Sequence, residues 1–82
     1  MSQKLPNLAH MRSVLRIGMS KDEFYQMCDD LMENFQLRVG SPSLSLDLTS
    51  IYVEEGDVLL CFLTGGKLTY VEYRGGIFMG GE

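Results

Sequence analysis

The sequence predicts an α+β domain in which two N-terminal helices pack on one face of a three- or four-stranded antiparallel β-meander. Apolar residues recur at helical spacing as far as Phe35 and alternate with polar ones from Leu44 onward, with one change of pattern near residue 40. Helices followed by strands in this order pack as helices gathered on one side of an antiparallel sheet. The chain has 82 residues, below the roughly 100–150 usual for a domain, so residues 1–82 are read as a single small unit. Its 45% hydrophobic and 22% charged content is that of a globular protein.

In chain order, Asn7 after Pro6 is a candidate N-cap, and Leu8, Met11 and Leu15 are spaced for a short helix that Gly18 would close in the left-handed conformation. Val14, Leu15 and Ile17 also suit a strand over residues 13–17; the helix is preferred. The second helix has clearer signals. Ser20 and Glu23 have capping-box spacing, Met19 and Phe24 are placed for a hydrophobic staple, and Asp22 and Glu23 suit the positive end of the helix dipole. Phe24, Met27, Cys28, Leu31 and Phe35 then form one apolar stripe, which predicts an amphipathic helix from about Lys21 to Phe35.

Leu44, Leu46 and Leu48 alternate with polar residues, then Ile51 and Val53 fall on odd positions, which predicts a strand with a bulge or break near Thr49-Ser50. Glu54-Glu55-Gly56-Asp57 is a polar turn. The unbroken apolar run from Val58 to Leu63 fits a central strand covered on both faces. Gly65-Gly66 supplies the positive φ angles of a tight hairpin, after which Val71 and Tyr73 are expected on one face and Leu68 and Tyr70 on the other. Residues 75–82 read as a glycine-rich tail whose Ile77, Phe78 and Met79 are expected to dock on the rest of the domain.

Composition and charge exclude several function classes. Net charge is −4, and residues 20–35 set Lys21 against Asp22, Glu23, Asp29, Asp30 and Glu33, so phosphate repulsion disfavours a nucleic-acid ligand. No window approaches the ~18 apolar residues of a membrane span, and the N-terminus has no apolar signal core; no membrane partner and a cytoplasmic location are expected. Cys28 and Cys61 sit in apolar patterns and read as buried thiols in a reducing compartment. His10 is the one histidine, so no histidine-rich metal site or proton relay can be assembled. Gly65-Gly66 and Gly75-Gly76 precede no helix whose N-terminus could hold phosphate. The sequence thus predicts no catalytic residues, no metal and no cofactor.

The stretch Leu15-Arg16-Ile17-Gly18-Met19-Ser20-Lys21-Asp22-Glu23-Phe24 resembles the opening motif of the SmpA/OmlA and β-lactamase-inhibitor-protein-like domains, in which such a turn joins two helices and an antiparallel sheet follows. Those domains carry a Gly-x-Pro segment directly after the second helix. Gly40-Ser41-Pro42 matches it only after the extra residues Gln36 to Val39. The resemblance implies a protein-binding scaffold and no enzyme, without the envelope location of the lipoprotein members.

Two functional readings follow. The first is a non-catalytic protein-binding module, in the manner of a small inhibitor or immunity protein, with Asp29, Asp30, Glu33, Glu54 and Glu55 steering a basic partner and Tyr25, Tyr52 and Tyr70 as candidate anchors. The alternative is a small apolar-ligand carrier with a pocket between helix and sheet lined by Phe24, Met27, Leu31, Leu60 and Phe62. A core this small, an apolar tail and an edge strand also favour a homodimer. Of the methionines, Met11, Met19, Met32 and Met79 are candidates for either an adaptable binding surface or core filling.

Overall fold

The computed structural model describes residues 4–36 and 48–80. Helices α1 (Leu8–Val14) and α2 (Lys21–Met32) precede strands β1 (Leu48–Tyr52), β2 (Val58–Thr64), β3 (Lys67–Tyr73) and β4 (Gly76–Gly80). The strands form one antiparallel sheet in the order β1-β2-β3-β4. The fold is α+β with the helices ahead of a four-stranded meander, as the single change of period predicts.

Both helix starts form as expected from their local chemistry. The Asn7 side chain accepts from the His10 amide, and at α2 the Ser20 hydroxyl accepts from the Glu23 amide while the Glu23 carboxylate accepts from the Ser20 amide. That hydrogen bond from the Ser20 amide, reinforced by the Ser20 hydroxyl and by Arg16, holds the Glu23 carboxyl below its usual range. The end of α1 differs from expectation. The helix stops at Val14 with Leu15 already extended, and Gly18 takes its φ of 95° in the following turn, where its amide donates to the Leu68 carbonyl of β3. Gly18 therefore fixes the link between helix and sheet.

The core is one cluster. Met11 and Leu15, the α2 stripe Phe24, Met27, Cys28 and Leu31, and the sheet residues Ile51, Val53, Leu59, Cys61, Leu63, Leu68 and Val71 are all buried in it. Three expectations about the strands need correction. Thr49, Ile51 and Val53 face the core in one continuous phase, and β1 pairs with β2 from Leu48 to Tyr52 without a bulge, because Thr49 is a buried polar residue that hides the phase. The earlier alternation at Leu44 and Leu46, like Gly40-Ser41-Pro42, lies outside the described residues. Leu68 shares the core face with Val71, since a register shift opposite Phe62/Leu63 inserts one residue between them. The β2 run is covered fully on one face only: Leu59, Cys61 and Leu63 are buried, whereas Val58, Leu60 and Phe62 are half-buried on the other.

The glycine-rich tail is also a strand. Residues 76–80 pair with β3 through a second register shift at Val71/Glu72. Phe78 and Met79 pack against the core, with the Arg12 guanidinium 4.4 Å above the Phe78 ring; Ile77 turns the other way and is 63% exposed.

Cys28 and Cys61 are free thiols in this core. Burial, with Asp29 adding to it, pushes Cys28 up to about 11, and burial with Cys28 nearby pushes Cys61 up to about 12. A pKa raised above the unfolded value of about 9 gives stability that is complete below pH ~9 and is lost as pH rises through the folded values. The urea midpoint is therefore expected to fall more steeply above pH 9 in the wild type than in the Cys28→Ala/Cys61→Ala variant. A disulfide-exchange reagent at pH 8 should react with neither thiol until the protein unfolds.

Candidate functional site

Helix α2 divides its residues sharply between core and solvent. With Phe24, Met27, Cys28 and Leu31 turned inward, the spacing i, i+4, i+7 brings Tyr25, Asp29 and Met32 onto one outward stripe, flanked by Asp22 and Glu33. Tyr25 is 43% exposed and Met32 53%. The Tyr25 ring stands edge-on to Phe24, centroids 5.8 Å apart, so an exposed aromatic is braced by a fully buried one. Two large apolar side chains are thus presented to water within a ring of carboxylates.

The opposite flank of α2 faces α1 across an open cleft of about 500 Å³, with Val14, Met19, Met27 and Leu31 at its base and His10, Arg16, Glu23 and Asp30 around its mouth. Asp30 accepts from the Gln26 side chain, 3.1 Å away, and the His10 ring packs at 4.8 Å on Phe35. This cleft lies between the two helices. The pocket expected between helix and sheet is not formed as drawn: Phe24, Met27 and Leu31 are buried in the core, and Leu60 and Phe62 lie on the sheet face turned away from α2.

At one end of the sheet, the 54–57 turn has a structural task. Both carboxylate oxygens of Glu55 accept from the Leu8 amide, at 3.1 and 3.2 Å, and the Glu54 amide donates to the Pro6 carbonyl, so this turn caps and tethers the start of α1. Asp57 pairs with Arg74 at 2.7 Å, Arg74 also donates to the Glu55 carbonyl, and the Tyr73 hydroxyl donates to the Gly56 carbonyl. Glu55 therefore serves as a cap for the start of α1. Glu55→Ala is expected to cost about 0.5–1.5 kcal/mol by urea denaturation, while Glu55→Gln, which keeps an acceptor, should cost less.

The eight candidate residues thus fall on three separate surfaces. Tyr25, Asp29 and Glu33 share the outward side of α2, with Asp30 on its other flank at the mouth of the cleft; Glu54 and Glu55 belong to the turn; Tyr52 and Tyr70 lie on the sheet face away from the helices. There Tyr52, 43% exposed, opposes Val58, and Tyr70 packs on Phe62 with centroids 5.2 Å apart and donates to Glu72. Loss of hydration there, with the Glu72 carboxylate alongside, raises the Tyr70 pKa. The methionine question resolves by position: Met11 and Met19 are buried, Met79 is packed on the core, and Met32 alone of the four is exposed. Sequence reasoning missed Leu48, Val58, Leu60, Phe62 and Ile77 as one surface, because the phase of β2 and both register shifts are set by strand pairing.

Among the described residues, no group of three or more His, Cys, Asp or Glu side chains is arranged to hold a metal ion, and no helix is long and apolar enough to cross a membrane. Fold and surface together define a small α+β domain with a helical stripe, an inter-helix cleft and a largely apolar second sheet face. No family model, no curated protein and no solved structure matches the chain.

Proposed function

We propose that this chain is a non-catalytic protein-binding module that engages its partner through the outward stripe of α2, in the manner of a small inhibitor or immunity protein. The observation that supports this is the pairing of exposed Tyr25 and Met32 two turns apart, with Asp22, Asp29 and Glu33 around them. An aromatic and a thioether side chain on a rigid helix supply desolvatable contact area, and the carboxylates raise the encounter rate with a basic surface. The likeness of residues 15–24 to the inhibitor-type domains implies the same class of function. On this reading the protein acts in the cytoplasm, where its two thiols stay reduced.

The experiment is affinity capture from the native host with matched variants. Tyr25→Ala/Met32→Ala, which removes only exposed groups, is expected to keep the fold and to weaken retention of the partner tenfold or more, about 1.4 kcal/mol. Asp29→Lys/Glu33→Lys should slow association and make it less sensitive to salt. Equal retention by all three proteins would reject the α2 surface. The inter-helix cleft favours a second reading, a small-molecule carrier; a ligand there would shift the amide signals of Ser13, Gln26 and Asn34 and leave those of Tyr25 and Met32 unmoved.

A further inference from the structure

The face of the sheet turned away from the helices carries a continuous apolar surface. Strand pairing places Leu48, Phe62 and Tyr70 in one row, Ser50, Leu60, Glu72 and Ile77 in the next, and Tyr52 beside Val58 in the third. None of these belongs to the core cluster or packs against it. An antiparallel sheet can leave one face to water when that face is polar, but here most of the rows are aliphatic or aromatic.

We infer that this face is the contact between two copies of the chain, stacked sheet to sheet. Charge favours a second copy. A molecule of net charge −4 meets its own copy only through a surface that keeps like charges apart, and among the described residues this face carries Glu72 as its one carboxylate, which already accepts from the Tyr70 hydroxyl at 3.2 Å. The carboxylates of α2 lie on the opposite side of each sheet and those of the 54–57 turn at its end. Stacking about an axis parallel to the strands sets β2 over the partner's β3, so each Glu72 faces the apolar β2 and not its counterpart.

The area is adequate. Strands of five and seven residues at about 3.3 Å per residue, spaced about 4.8 Å apart, give a plan of roughly 400 Å² per copy. With side-chain relief, two such faces bury on the order of 1,200 Å², the lower end of specific interfaces. Dimerisation by this face leaves both α2 stripes outward, so it neither needs nor blocks the partner surface proposed above.

Sedimentation of the purified full chain at micromolar concentration tests this, alongside Ile77→Asp and Leu60→Asp. Ile77 is already 63% exposed, so its replacement leaves the monomer fold intact even if Leu60→Asp does not. The wild type is expected to sediment as a dimer and Ile77→Asp as a folded monomer. A monomeric wild type, or a dimer that persists undiminished in folded Ile77→Asp, overturns the assignment. A monomeric wild type whose host partner is lost on Ile77→Asp would give the face to a different protein, and overturns it equally.

Discussion

Phe24→Ala is expected to leave the chain without a cooperatively folded state near 37 °C. Phe24 is wholly buried where α2 meets the sheet, and removing such a ring costs about 3–5 kcal/mol through lost burial and the cavity left behind. A domain of 82 residues has on the order of 4–12 kcal/mol of stability in total. The loss is therefore a large part of the whole. Near-ultraviolet circular dichroism and urea denaturation at 25 °C should show a midpoint shifted far down or no transition, whereas Phe24→Leu, which keeps most of the volume, should cost roughly 1–2 kcal/mol. A variant as stable as the wild type would mean that α2 does not pack as described.

Gly80→Ala is expected to be the most damaging single-methyl change in the sheet, at about 2–4 kcal/mol. Gly80 has φ +78°, and a Cβ there would lie 2.6 Å from the Thr69 carbonyl oxygen and 2.8 Å from Cδ1 of Ile17. The isoleucine tip can move aside. The carbonyl belongs to the β3 backbone directly before Tyr70, which pairs with Gly80, so it cannot move without disturbing that end of the β3–β4 ladder. Gly75→Ala is the control, because its φ is +77° but no atom lies within 4 Å of the added methyl, leaving the backbone cost of about 1–2 kcal/mol alone. Amide hydrogen exchange should show Gly80→Ala losing protection along β4 first, and equal losses in the two variants would remove the steric argument.

The parts of this molecule legible in its sequence are those fixed by local chemistry. Ser20 and Glu23 announce a helix start because both hydrogen bonds close within four residues, and Gly65-Gly66 announces a hairpin because both residues do take positive φ, 62° and 80°. What stayed hidden depends on pairing across strands. The run Val58-Leu59-Leu60-Cys61-Phe62-Leu63 contains no polar residue to mark its outer face, so the sequence alone puts Leu60 and Phe62 in a pocket against α2 from which the pleat turns them away. Two inserted residues reverse the face of Leu68 relative to Tyr73's neighbours and place Phe78 on the helix side. Glu55 carries no sign in its neighbourhood that it caps a helix starting 47 residues earlier.

Tyr25, Asp29, Asp30 and Glu33 were foreseeable because helical periodicity alone puts them opposite the core stripe. Met32 follows the same periodicity: it falls with Tyr25 and Asp29 on the outward stripe and is 53% exposed, whereas Met11 and Met19 are buried.

A photo-crosslinking amino acid placed at residue 25 in the native host tests the central claim most directly, since it reports what touches the α2 stripe and asks nothing of affinity. One discrete adduct with another protein carrying a basic surface is expected, diminished by Asp29→Lys/Glu33→Lys, and no such adduct from the same probe at Glu54, exposed in the turn at the end of the sheet. Adducts formed equally from both positions, or none from residue 25 with the protein folded and expressed, would contradict it.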